Sequence, residues 1–320
     1  MKIFPLTLIP NEPNINFMKL RWVSVTLAAL LMFGAIGAMV VKNFNYALDF
    51  TGGTQVEVRS SKPVDIEGVR KSLDVAGYDS AQAQNFGSGN ELLVRLQPQE
   101  GEAGETATTH ARAAVSAAIK AQGIDDFRIL HAEYVGPQIG KELAKNGLYA
   151  IIFVVIGFLF YIAFRFEWKF AVAAIIATMH DVVVVAGWFA FTGHEFDLTV
   201  LAGVLSVMGY SINDTIVVFD RVRENFRGMR AEPYEVLNKS VNQTLSRTVI
   251  TSFVAFLTVF ALYLYGGGSL RGMAESQMIG IIIGTLSSIF VACPLLLWLN
   301  VRKQDLLPKA RDEAALARRP

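Results

Sequence analysis

The chain has 320 residues, 52% of them hydrophobic and 18% charged, with a mean hydropathy of +0.39. Soluble domains carry about a quarter charged residues, so this composition points to a membrane protein. A net charge of +1, with no Lys/Arg-rich block, argues against nucleic acid or another polyanion, and one cysteine with four scattered histidines argues against disulfides, metal ligation and a metal cofactor.

Six segments approach the roughly 20 apolar residues of a spanning helix. They lie at 23–41, 147–164, 170–192, 198–219, 248–265 and 277–299. The first follows Lys19 and Arg21 as a signal peptide would, but its apolar run exceeds the usual ~7–15 residues and predicts a retained anchor. Basic residues cluster at Lys19/Arg21, Arg165/Lys169, Arg221 to Arg230 and Arg302/Lys303. The opposite short loops carry only Arg271 as a fixed positive charge, which places both termini in the cytoplasm.

That topology puts residues 42–146 outside, and they read as a small domain. "TQVEVR" (54–59) alternates like a half-exposed strand, and "PVDIEGVRKSLDVAG" (63–77) has helical spacing with Gly77 as a stop. "AQAQNF" (81–86) and "ELLVRL" (91–96) form a strand pair across "GSGN". The connector "PQEGEAGE" (98–105) leads to an Ala-rich helix at 106–121 and a last strand, "FRILHAEYV" (127–135). The order β-α-β-β-α-β is that of a ferredoxin-like α+β unit. The fold expected is therefore a six-helix polytopic membrane protein. Residues 1–22 lead in, 23–41 form the first span, 42–146 the outside domain, 147–301 a five-helix bundle and 302–320 a tail. Between the fourth and fifth spans, residues 231–248 read as a short amphipathic helix, fitting either a membrane-surface or a connecting role.

Enzyme motifs fail on inspection. "GPQIGKE" (136–142) has one residue too few between glycines for a P-loop and Glu142 where Ser or Thr belongs. "GGGSLRG" contains no nucleophile elbow. Asp181 and Asp214 could pair as an intramembrane aspartyl protease does, but the accompanying G-x-G-D is missing.

The information lies in polar residues inside spans. A charge at a helix centre costs about 2.5–3.5 kcal/mol on insertion scales, so such residues usually face a partner or a wet path. The third span holds His180 and Asp181 near its middle, a second intramembrane polar site of structural or functional use. In the fourth, Ser206 and Asn213 share a face, with Tyr210 and Asp214 on the adjacent stripe. Arg247 enters at the start of the fifth and can snorkel inward toward Asp214. Gly280, Gly284 and Ser288 give the sixth a small face for close helix approach. A carboxylate and an arginine at such depth suit a site that gains and loses a proton.

Six segments together carry a family resemblance: "NYALDFTGGTQVEV", "EYVGPQIGKEL", "RFEWKFA", "MHDVVVV", "GYSINDTIVVFDRVRENFR" and "SRTVITS". They resemble the SecF members of the bacterial SecD/SecF family, related to the RND transporters. The resemblance implies a motor accessory, not an enzyme, in the bacterial inner membrane, with residues 42–146 in the periplasm and membrane lipids around the spans. It implies SecD as partner in a SecDF complex, with SecYEG, SecA and unfolded preproteins beyond it, and the proton gradient as energy source. The family's membrane Asp falls on Asp214 and its Arg on Arg247, with Asn213 beside them. The "LDFTGG" motif supplies Asp49, Gly52 and Gly53. The rival reading is half of a proton-driven RND-type exporter of small molecules or lipids.

Overall fold

A computed structural model describes residues 13–79, 81–86, 90–97 and 102–306. The expected lead-in before residue 13, the core of the "GSGN" turn, the first half of the connector "PQEGEAGE" and the tail beyond 306 lie outside the described residues. The chain forms two compact units, one of Asn45–Ile151 with Glu195–Leu198, the other of the helical remainder.

In the smaller unit, β2 (Gly53–Ser60), α3 (Ile66–Val75), β3 (Gln82–Phe86), β4 (Glu91–Leu96), α4 (Glu105–Lys120) and β5 (Phe127–Val135) follow the expected βαββαβ order. The sheet is antiparallel, in the order β3-β4-β2-β5. Alternation along the strands sends Val56, Val58, Leu92 and Val94 into one core with Val69, Leu73 and Val115 of the two helices. Two short elements escaped the sequence reading. β1 (Asn45–Tyr46) pairs in parallel with β6 (Glu195–Phe196), and α2 (Leu48–Thr51) is a single turn between β1 and β2.

Gly52 and Gly53 follow that turn at φ +69° and +123°, a region that favours glycine. Space forbids a side chain there as well. A Cβ on Gly52 would lie 2.8 Å from the Pro137 Cα, and one on Gly53 2.8 Å from the Leu96 carbonyl oxygen.

Six helices are long and apolar enough to span a membrane. They are α1 (Arg21–Lys42, preceded by a 3₁₀ turn), α5 (Pro137–Arg165), α6 (Trp168–Thr192), α7 (Leu198–Gly228), α8 (Pro233–Tyr265) and α9 (Gly268–Ser287). A π-turn at Ser288–Ala292 and α10 (Cys293–Trp298) extend the last of these. The wide turn precedes Pro294, which has no N–H to give the preceding turn. Two expectations change. α5 begins at Pro137, ten residues before the apolar run, because proline suits a first helical turn. The amphipathic segment at 231–248 and the fifth span are one helix of 33 residues, since no glycine or proline interrupts it after Pro233.

α6, α7 and α9 form the bundle's interior, with more than half of each apolar window buried against 11% for α1, α5 and α8. Small residues allow that closeness. Ideal Cβ atoms on Gly280 and Gly284 of α9 would lie 2.1 Å from a Val207 methyl and 3.1 Å from the Ser211 Cβ of α7, and one on Gly187 of α6 2.3 Å from the Ala35 Cβ of the outer α1. The glycine face read from the sequence thus meets α7.

Candidate functional site

Asp214 sits inside the bundle on α7, with 3% of its surface exposed. Its Oδ2 accepts a hydrogen bond from the Ser252 hydroxyl of α8 at 3.3 Å. Thr285 of α9 stands behind, its Oγ1 2.7 Å from the Ser252 Oγ and 2.6 Å from the Ile281 carbonyl, so its one proton chooses between them. Tyr210, one turn back on α7, lies beside these groups, its buried hydroxyl without a hydrogen bond among the described residues. The result is a carboxylate hydrogen-bonded to the first of two linked hydroxyls, each able to donate or accept.

Arg247 is exposed on α8. Among the described residues no ion pair joins it to Asp214. Asn213 and Ser206 face outward on α7, and the Ser206 hydroxyl is occupied by the Ala202 carbonyl at 2.9 Å. The predicted cluster therefore divides. Asp214 and Tyr210 point inward with Ser252 and Thr285, whereas Asn213, Ser206 and Arg247 line an outer face. Ser252 and Thr285 were missed by the sequence reading, because hydroxyls in spans commonly bond their own i−4 carbonyl and carry no signal of their own.

A second carboxylate, reached by Ser211 one turn before Asp214 on α7, has a different setting. Asp181 of α6 is fully buried and accepts from the hydroxyls of Ser211 on α7 at 2.5 Å and Ser287 on α9 at 2.6 Å. His180 Nδ1 lies 2.9 Å from its other oxygen, and His180 Nε2 makes no hydrogen bond among the described residues. Asp181 thus ties the three interior helices together, with donors on both oxygens.

The ends of the bundle hold charged clusters. Arg165 pairs with Asp220 at 2.6 Å, and Arg223 with Glu167 at 3.0 Å, so Asp220 belongs to an ion-paired rim. At the other end, Glu275 of α9 accepts from Trp188 Nε1 at 2.8 Å and lies 2.8 Å from His194 Nδ1. That hydrogen bond raises the His194 pKa above its ordinary value, against the opposing effects of burial and Arg271. In the smaller unit, the Asp49 carboxylate accepts from the Leu198 backbone N–H at 3.0 Å. Among the described residues no group of His, Cys, Asp or Glu could hold a metal ion.

A family profile described as "Protein export membrane protein SecD/SecF, C-terminal" matches residues 114–302, and one described as "SecD/SecF GG Motif" matches 37–64, which contains Asp49, Gly52 and Gly53. The protein translocase subunit SecF of Vibrio alginolyticus is 42% identical over 302 residues, 94% of this chain and 95% of that one. The SecF of Pseudomonas aeruginosa is 43% identical over 93% of this chain and 96% of its own. A longer relative, the protein translocase subunit SecDF of Thermus thermophilus, is 40% identical over 93% of this chain but only 40% of its own. The crystal structure of a Thermus SecDF, described as a translocon-associated membrane protein, matches with a TM-score of 0.81 at 39% identity, covering 93% of this chain and 40% of that one. On that identity and coverage, with six helices of spanning length, the chain is a multi-pass inner-membrane protein that belongs to the SecF family of protein translocase subunits.

Proposed function

We propose that the chain pairs with SecD and uses the proton gradient to assist preprotein export through SecYEG after SecA has acted. Its relatives named SecDF, which contain a counterpart of 93–94% of the chain within a longer one, support the pairing. The outward polar face supports it too. Ser206 and Asn213 of α7 and Arg247 of α8 are exposed, and polar groups at such depth suit a second helical bundle better than lipid. The apolar side chains exposed on α1 and α5 suit lipid.

The observation that carries the proton reading is Asp214: a carboxylate 3% exposed, held by one hydroxyl and, among the described residues, in no ion pair. Left ionised in an apolar span it bears the insertion cost given above; a proton removes that cost, and so does the approach of Arg247. The two alternatives demand different positions of α7 and α8. Ser252, Thr285 and Tyr210 can relay a proton to the carboxylate because each hydroxyl both donates and accepts. A proton falling through 100 mV supplies about 2.3 kcal/mol to shift the helices. Asp181, with every oxygen already engaged, acts in this account as the fixed pivot, and His180 orients it.

Residues 42–146 lie on the periplasmic side and hold emerging polypeptide, for which the edge strands β3 and β5 offer sequence-tolerant main-chain pairing. Both chain ends lie in the cytoplasm. A cysteine at exposed Thr106 should then react with an impermeant thiol reagent in intact cells, and one at Gly228 should not. Export into inverted vesicles tests the proton role. Asp214→Asn should insert and bind SecD while losing the stimulation of export by a proton gradient; stimulation at the wild-type level would refute it.

A further inference from the structure

We infer that the Asp49–Gly53 turn is a closed mechanical junction that delivers the movement of α7 to the small domain, with Asp49, Arg95 and Glu195 as its positioning residues. The inference rests on the proton-driven reading of Asp214 and adds the route by which its work leaves the helix.

The junction is built from contacts of different kinds at one place. Asp49 caps the first turn of α7, where backbone N–H groups lack helical partners and the helix dipole favours a negative charge. Immediately before that turn, β6 is bound to β1, and the Ala47 N–H donates to the Phe196 carbonyl at 2.9 Å. Arg95, next to last in sheet strand β4 and only 8% exposed, donates to the Tyr46 carbonyl at 2.7 Å and pairs with the Glu195 carboxylate. The rings of Tyr46, Phe50 and Phe196 pack on one another at 5.9–6.3 Å. The two glycines then bring the turn against Pro137, and a Cβ on Gly140 would lie 3.0 Å from the Gly52 nitrogen. One turn of chain therefore grips the first turn of α7, the first turn of α5 and the end of a central sheet strand.

Such a junction has no reason to exist for the sheet alone, whose core closes without it. Its position explains it. Leu198 and Asp214 belong to the same helix, and 1.5 Å per residue sets them about 24 Å apart. A helix moves along its axis as a stiff rod, so a displacement at the carboxylate reaches Leu198. The Asp49 cap and the strand pair carry it on to the sheet.

The test compares a loosened and a locked junction, in full-length chains with SecD and with Cys293 replaced by serine. Asp49→Ala removes the cap; Asp49→Asn keeps an oxygen that accepts the Leu198 N–H. Tyr46→Cys with Phe196→Cys places thiols on paired neighbouring strands, whose spacing lies within disulfide reach. At equal membrane levels, Asp49→Ala should lose at least nine-tenths of gradient-stimulated export, with export driven by SecA alone unchanged, and Asp49→Asn should keep at least half. Oxidising the cysteine pair, whose covalent bond stands in for the Tyr46–Phe196 ring contact, should leave export intact in the Asp49 chain and restore it in Asp49→Ala, reversibly with reductant. Full stimulation in Asp49→Ala, failure of the disulfide to restore it, or a block of export by the disulfide alone would each overturn the junction. If Asp49→Ala does not accumulate, the disulfide in the Asp49 chain decides: intact export supports a closed junction and blocked export rejects it. Absence of gradient stimulation in the parent chain would instead strike the proton reading.

Discussion

Gly280→Ala puts the packing of the interior helices to a quantitative test. The added methyl would lie 2.1 and 2.6 Å from the two Val207 methyls, against the ~3.5–4.0 Å at which carbon atoms attract. Val207 has little freedom to turn aside, because a β-branched residue in a helix keeps one χ1 rotamer about 90% of the time. α7 and α9 must therefore separate, and overpacking of this kind costs about 1–3 kcal/mol. The same substitution at Gly157 of α5, which is exposed and has nothing within 4 Å of its Cβ, carries the same helix-propensity change of about 1 kcal/mol without the clash. The difference between the two variants isolates the steric part. Reversible unfolding in mixed micelles should find Gly280→Ala less stable than Gly157→Ala by about 1–3 kcal/mol. Adding Val207→Ala should remove most of that gap. Equal stabilities, or a gap unchanged by Val207→Ala, would refute the close approach of these helices.

Asp181→Leu should lower the membrane level of the chain and its recovery with SecD, because Ser211, Ser287 and His180 lose their shared acceptor; breaking such a buried set typically costs about 3–5 kcal/mol. Asp214→Asn at a normal level beside a depleted Asp181→Leu would separate the pivot from the proton site, whereas equal depletion would merge them. His194 should titrate above its ordinary value in a histidine NMR experiment, and Glu275→Gln should bring it down, since the hydrogen bond to Glu275 is the main cause of the shift. A raised folded-state value means that this contact stabilises the bundle fully below the ordinary histidine pKa and fades as pH rises through the raised one. Unfolding of the His194→Ala chain should accordingly lose that part of the pH dependence.

What the sequence disclosed follows from what leaves a local trace. Asp214 and Asp181 stood out because a carboxylate in an apolar run has a cost that demands a reason, and the glycines of α9 because their four-residue spacing marks one face. Their different settings were invisible, since they depend on Ser252, Ser211 and Ser287, hydroxyls brought in from other helices. The division of Asp214 from Asn213 was already implied by the 100° step between neighbours, although which stripe faces inward is decided by α8 and α9. The start of α5 and the continuity of α8 were misplaced because apolar runs mark the lipid-facing part of a helix, whereas its ends are set by caps and breakers. β1 and β6 are too short for periodicity, and the Asp49 cap joins residues 149 apart in sequence, so neither could be read locally.

The central claim is that Asp214 carries a proton. It is tested most directly by replacing both members of the candidate pair with apolar residues, Asp214→Leu with Arg247→Met, and measuring gradient-stimulated export in inverted vesicles at matched SecD-bound levels. A buried ion pair that served only as scaffolding can be replaced by well-packed apolar side chains with little loss. The present account expects this double variant to fold, to bind SecD and to show export that no longer responds to the proton gradient. Export that still rises with the gradient as in the parent chain would contradict it.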